Sequence, residues 1–304
     1  MTITENLDMP QPKDLMIDIE GKTLTPEDKE LIQHPFVGGV VLFERNYENI
    51  SQLQELTSEI HSLSDDNFII AVDHEGGRVQ RFRKGFTELP AMSELGLLYD
   101  LTPGLATEKA EFIGQTIGKE LKFVGVDYVF GPVLDINMGE SDVIGDRSFH
   151  SDPKIISMLT ATLLQGIQSA GLKAVGKHFP GHGYVKADSH TDLPVDSRTI
   201  QEISCCDLLP FQFLINIGLD GIMPAHIVYE KCDSQPATYS TYWLQKILRG
   251  QLNFRGKIFS DDLSMKGAAV AGDMKTRIAK AREAGCDMAL ICNDRPVIKK
   301  LLLG

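Results

Sequence analysis

Between residues 15 and 291, short apolar, β-prone runs alternate with longer amphipathic stretches, and this alternation constrains the fold more than any other feature. The candidate strands are Leu15–Ile19, Gly39–Phe43, Phe68–Val72, Asp127–Phe130, Lys173–Gly176, Gly221–Met223, Lys257–Phe259 and Met288–Ile291. Between them, Ile50–Leu63, Leu105–Phe123, Lys154–Ala170, Ile200–Ile217, Thr241–Leu252 and Lys275–Ala284 carry apolar residues at intervals of three and four, the period of a helix. Pro26 and Pro153 suit the first turn of a helix, where a missing N–H costs nothing, and Gly171, Gly218 and Gly285 suit positions just past helix ends. Strands that alternate with helices in this way predict an α/β protein, a (β/α)8 TIM-type barrel with all strands parallel. A doubly wound open sheet is the competing arrangement. No GxGxxG opens the first helix, and polar residues follow nearly every strand rather than one switch point, so the barrel is preferred. The strand ends carry Asp18 and Glu20, Arg45, Asp73, Asp135, Lys177 and His178, Ala225 and His226, Asp261 and Asp262, and Asn293. No linker or composition shift interrupts residues 1–304, which read as one domain with a short final helix after Arg295-Pro296.

With 42% apolar residues the chain can bury a large core. A formal net charge of −12 argues against nucleic-acid binding, which calls for a basic face. No apolar run approaches the roughly 20 residues that cross a bilayer, so no membrane association is expected. The first residues, MTITENLDMPQPKD, lack the basic and apolar regions of a signal peptide. The five cysteines form no CxxC pair; reduced thiols in a cytoplasmic setting are the simplest account.

Residues 173–194, KAVGKHFPGHGYVKADSHTDLP, concentrate the chemistry. An apolar strand delivers Lys177 and His178 to its end, and a loop punctuated by Pro180, Gly181 and Gly183 follows. Such crowding of titratable groups marks a functional site more often than a solvated loop with incidental histidines. Asp188 and His190, two apart, share a face in extended backbone. A carboxylate on one ring nitrogen fixes the imidazole tautomer and raises its basicity, producing a general acid and base near neutral pH. The competing reading is metal ligation by His178, His182, His190 and His226. The first strand, however, carries no paired histidines of the kind that mark metal-dependent barrel hydrolases, and no metal is expected.

Two further segments supply candidates. Asp261 and Asp262 follow the seventh strand; a carboxylate there can be a nucleophile or base, or can cap a helix. Asp261 is assigned to the pocket and Asp262 to the cap. After the third strand comes Asp73-His74-Glu75-Gly76-Gly77, in which Asp73 can accept bonds from vicinal hydroxyls, as a sugar offers, while two acids would repel phosphate. Arg147 offers planar bidentate donors to a ligand, or a structural ion pair to Asp142 or Asp146.

Taken together, the segments VDHEGGRVQRF, GDRSF, KHFPGHG with its following DSH, IMPAHI and FSDDLSM resemble glycoside hydrolase family 3, in particular its bacterial β-N-acetylglucosaminidase branch. The resemblance runs in family order from the third strand to the seventh, and KHFPGHG followed by DSH is its most specific part. It implies a retaining exo-β-N-acetylglucosaminidase acting on peptidoglycan fragments in the cytoplasm, without cofactor. Asp261 would be the nucleophile that forms a covalent glycosyl-enzyme, and His190, oriented by Asp188, the acid and then the base. Sugar-binding roles would fall on Asp73, Arg81, Arg147, Lys177 and His178. His74 departs from the pattern, which has glutamine there. Most retaining glycosidases use two carboxyl groups about 5–5.5 Å apart; here one carboxylate would work with a His–Asp dyad. A phosphorylase using the same intermediate, and a sugar-binding barrel without turnover, are the alternatives.

Overall fold

The computed structural model describes residues 12–139, 141, 143–186 and 193–304. Eight strands form one parallel sheet: β1 (Leu15–Asp18), β2 (Val37–Leu42), β3 (Ile69–Val72), β4 (Tyr128–Val129), β5 (Lys173–Phe179), β6 (Gly221–Pro224), β7 (Lys257–Ile258) and β8 (Ala289–Ile291). Their spatial order is β7-β6-β5-β4-β3-β2-β1-β8. A parallel bridge from Phe259 to Met288 joins β7 to β8, so the two ends of the sheet meet and the TIM-type barrel closes. The predicted strands are therefore present, several of them one or two residues shorter than their apolar runs.

Side-chain alternation sorts the strands into two layers. Met16, Val41, Ile69, Ala71, Tyr128, Phe130, Val175, Met223, Phe259 and Leu290 pack together inside the barrel. Their neighbours Leu15, Ile17, Val40, Ile70, Val72 and Ala174 turn outward and join the helices in a second, larger core. Strands buried on both sides must be apolar throughout, which is why they read as continuous apolar runs.

The helices form where the 3.6 period predicts. In α1 (Pro26–Ile32) Thr25 and Asp28 make a reciprocal capping box. α2 (Ile50–Leu63) buries Leu53, Leu56, Thr57 and Ile60, one face of the helix. Two helices before β4, α3 (Met92–Leu101) and α4 (Pro103–Phe123), precede α5 (Pro153–Ser169) after it. α4 and α5 approach so closely that a Cβ at Gly114 would lie 2.2 Å from the Leu163 carbonyl oxygen. The expected helix over Ile200–Ile217 is broken into α6 (Ile200–Ser204) and α7 (Leu208–Asn216). Pro210 accounts for the break, since it has no N–H for the Cys206 carbonyl and its ring would collide with that carbonyl in a continuous helix. The helix predicted over Thr241–Leu252 spans Tyr242–Gln251 and is wound with π-type hydrogen bonds. α8 (Met274–Ala284) ends at Gly285 in the left-handed region, and α9 (Arg295–Leu302) is the short final helix. Among the described residues no helix is long and apolar enough to cross a membrane.

Candidate active site

The C-terminal ends of the strands surround a cavity of about 620 Å3, lined by Asp73, Glu75, Arg81, Arg147, Lys177, His178 and Asp261 among others. This is the end at which barrels of this type carry their chemistry.

β5 continues through Lys177 and His178 to Phe179, so these two residues belong to the strand and do not follow it, as the sequence suggested. Against β6 its register shifts between Lys177 and Phe179. Such a bulge breaks the two-residue alternation and lets neighbouring residues face one space; both Lys177 and His178 line the cavity. The Lys177 ammonium is 2.6 Å from Asp73 Oδ1 and 2.6 Å from Glu75 Oε1. Arg147 grips Glu75 through Nε and Nη2, both at 2.8 Å, and Arg81 Nη2 donates to Asp73 Oδ2 at 3.2 Å. Three cations and two carboxylates thus form one connected cluster on the cavity wall. Burial would raise the Asp73 and Glu75 carboxyls, but Lys177 with Arg81, and Arg147 with Lys177, outweigh it and hold both below the ordinary range. Both are therefore anionic at neutral pH, and each cation of the cluster is paired with a carboxylate before a ligand arrives, although three cations share two acids.

Glu75 was not among the predicted site residues. The signal was present: in Asp73-His74-Glu75 the two acids are two apart and share a face, while His74 points the other way and packs against Phe82 and Phe86. Arg147 also differs from its expected alternative, since its carboxylate partner is Glu75; Asp146 instead pairs with Arg78, and Asp142 lies outside the described residues.

His178 is oriented from behind. Its Nδ1 is 2.7 Å from Asp135 Oδ2, and the same carboxylate accepts the backbone N–H groups of His178 and His182. Asp135 is fully buried, and although burial raises its carboxyl, His178 and the other donors bring it below the usual value. The Nδ1 contact leaves His178 Nε2 as the ring nitrogen on the cavity side. Asp135 was recognised only as a polar residue following a strand. Its role depends on proximity to a residue 43 positions away, which no local pattern reveals.

Asp261 follows β7 at the cavity edge. Preceding it, Ser260 is locked to the adjacent strand, its N–H donating to the Met288 carbonyl at 2.8 Å and its Oγ accepting from Leu290 N at 2.9 Å. Asp261 Oδ1 accepts the Asp262 N–H at 2.8 Å. Asp262 serves free N–H groups as anticipated, those of Ser264 and Cys292, but it caps a turn and not a helix. Burial raises the Asp262 carboxyl to about 6 against the bonds it accepts. Asp188 and His190 lie outside the described residues. Of the proposed metal-ligand set, His178 is engaged by Asp135 and His226 Nε2 by the Asp262 carbonyl at 3.0 Å; among the described residues no group of three or more His, Cys, Asp or Glu is arranged to hold a metal.

A closed parallel barrel whose strand ends bring the Asp261 carboxylate and an ion-paired polar cluster to one cavity is the arrangement expected of a barrel glycosidase. Comparison with known proteins makes the assignment specific. The sequence profile of the glycosyl hydrolase family 3 N terminal domain matches residues 6–303. A β-hexosaminidase of Nitrosospira multiformis is 53% identical over 288 residues, spanning 95% of this chain and 82% of the relative. Another, from Methylobacillus flagellatus, is 52% identical with the same coverage. Among solved structures, NagZ from Neisseria gonorrhoeae in complex with N-trifluoroacetyl-D-glucosamine superimposes with a TM-score of 0.92 at 45% identity, covering 97% of this chain and 86% of that one. The chain belongs to glycoside hydrolase family 3, in its β-N-acetylhexosaminidase branch.

Proposed function

We propose that this enzyme is a retaining exo-β-N-acetylglucosaminidase that removes terminal N-acetylglucosamine from peptidoglycan fragments, the anhydro-muropeptides, in the cytoplasm. Residues 1–304 make one catalytic barrel domain in this reading, and the chemistry needs no cofactor or metal. The observation that carries it is that Asp261 lines the same cavity of about 620 Å3 as the ion-paired cluster of Asp73, Glu75, Arg81, Arg147 and Lys177. The polar lining suits a sugar bound through its hydroxyls, and the gonococcal relative's complex with a glucosamine derivative supports a ligand of that class.

In the first step an Asp261 carboxylate oxygen attacks the anomeric carbon while the glycosidic C–O bond breaks. His190, oriented by Asp188, gives its proton to the departing oxygen. In the second, water gives a proton to His190 and its oxygen displaces Asp261, so two inversions return the β configuration. Asp73, Arg81, Arg147, Lys177 and His178 hold the sugar. Their mutual ion pairs keep the donors in place before binding, so little reorganisation is needed as charge develops at the ring.

A 5-fluoro N-acetylglucosaminide with a good leaving group tests this reading. Intact-mass and peptide analysis should find one glycosyl adduct, on Asp261. Continued hydrolysis with no adduct overturns the assignment. Release of sugar 1-phosphate in place of free sugar when phosphate is added would make the enzyme a phosphorylase.

A further inference from the structure

His226 follows β6 and is fully buried, outside the lining of the cavity that holds Asp261. The backbone on either side of it is pinned. The Ala225 N–H donates to the Phe179 carbonyl at 2.8 Å, the Ala225 carbonyl accepts from Thr238 Oγ1 at 3.1 Å, and the Ile227 carbonyl accepts the Ala237 N–H at 2.9 Å. The Tyr239 ring, tethered through its hydroxyl to the Ala268 carbonyl at 3.1 Å, packs beside the imidazole with centroids 6.1 Å apart.

Burial holds the His226 imidazole below its ordinary value, against the pull of the Asp261 carboxylate and of the Asp262 and Asp261 backbone. The ring is therefore neutral near pH 7 and carries one proton. Nε2 lies 3.0 Å from the Asp262 carbonyl oxygen, which can only accept, so that proton is on Nε2. Nδ1 is buried and has no hydrogen-bond partner among the described residues. A buried imidazole with one nitrogen unmet is a poor way to fill space, because an apolar ring of similar size would avoid the cost. The Nε2 bond is what a histidine supplies there and a phenylalanine would not.

That bond ends one residue from the proposed nucleophile. Asp262 gives its N–H to Asp261 Oδ1 at 2.8 Å, and its carbonyl receives both His226 Nε2 and the Met265 N–H, the latter at 3.1 Å. A rigid strand end thus holds, through one imidazole, the residue whose N–H orients the carboxylate facing the cavity.

We infer that His226 is a positioning residue for nucleophilic attack: its Nε2–H fixes the Asp262 carbonyl, and thereby the turn in which the Asp262 N–H aims the Asp261 carboxylate at the anomeric carbon. This rests on the assignment of Asp261 as the nucleophile. His226 touches no substrate and transfers no proton.

The test removes the donor and then restores it. His226→Phe keeps a flat ring of similar size without the N–H, whereas His226→Gln places an amide Nε2 where the imidazole Nε2 lies. For aryl β-N-acetylglucosaminides, kcat/KM reports formation of the glycosyl-enzyme. His226→Phe should lower it by about 10- to 100-fold, the scale of loss when a reacting group is slightly misplaced. The loss should be equal for dinitrophenyl and unactivated leaving groups, since attack by Asp261 is common to both, while a defect in proton donation would spare the former. Competitive inhibition by N-acetylglucosamine should be as strong as in the parent, and His226→Gln should recover most of the rate. Should His226→Phe not fold, His226→Asn takes its place, because the shorter amide does not reach the carbonyl. Parental kcat/KM without the donor, a parallel weakening of inhibitor binding and rate, or a His226→Gln no faster than the variant lacking the donor overturns the inference. Asp261→Ala is the reference: activity retained there refutes the nucleophile itself, whereas an inactive Asp261→Ala beside a fully active His226→Phe sinks the role of His226 alone.

Discussion

Arg147 and Glu75, 72 positions apart in the chain, form a two-pronged ion pair with both N···O distances at 2.8 Å, and the same carboxylate receives Lys177 at 2.6 Å. Glu75 is thus the hub of the pocket wall. Removing one member of a buried, hydrogen-bonded ionic group leaves its partners uncompensated. Glu75→Ala should destabilise the protein by about 3–5 kcal/mol, read as a loss of Tm or denaturation midpoint. Arg147→Lys keeps the charge but loses the fork; it should fold and show its defect mainly in KM. A Glu75→Ala protein as stable as the parent would refute the hub role.

The adjacent acids Asp261 and Asp262 should separate cleanly. Asp261→Ala should reduce turnover by about 10⁴-fold or more, as removal of a nucleophile does, and added azide should yield the α-glycosyl azide. Asp262 accepts from Ser264 and Cys292, and burial lifts its carboxyl to about 6. Because its folded value lies above its unfolded one, its ionisation costs stability above pH 6, and that cost disappears as pH falls toward 4. Asp262→Asn should accordingly be more stable than the parent at pH 7–8 and indistinguishable from it near pH 4. The reverse pattern in thermal melts would contradict this.

Asp135 fixes the His178 ring through Nδ1 and holds two backbone N–H groups as well. Asp135→Asn presents an amide where those donors need an acceptor. A lost hydrogen bond to a charged group is worth about 1.5–3 kcal/mol, so kcat/KM should fall by roughly 10- to 150-fold. Asp135→Asn kinetics equal to the parent's would show that His178 needs no such support.

His74 and His182 predict the acid limb of stability. Burial, together with Arg83 and Arg81, lowers His74 from 6.5 to about 3; burial and His178 lower His182 to about 4. Both stay neutral when folded and take up protons on unfolding. Their contribution is complete above pH 6.5 and is lost as pH falls from there toward 4 and 3. His74→Gln removes the larger of the two shifts. Its unfolding midpoint should depend less on pH between 6.5 and 4, by a margin on the order of 2–3 kcal/mol. Parallel stability profiles for the variant and its parent would count against this origin.

Much of the architecture was legible in the chain. Strands buried on both faces must be apolar, and helices buried on one face must repeat every three to four residues, so the alternation specified a parallel barrel. The same logic exposed the charged residues near strand ends, among them Asp73, Lys177, His178 and Asp261, because a titratable group next to an apolar run is conspicuous. Local rules failed where they met a competing constraint, as in the helix that Pro210 divides or the strand that carries His178 past a bulge.

What the amino-acid sequence determined by itself, then, was the kind of fold and which charged residues would gather at one end of it. Their partners were decided only in three dimensions. Glu75 with Arg147 and Asp135 with His178 are pairings set by how the closed barrel brings strand ends and loops together. A hydrogen bond depends on distances of a few tenths of an ångström, and these pairs span 72 and 43 residues of chain. Hydrophobic periodicity carries no information at that range, whereas the curvature of a closed sheet does.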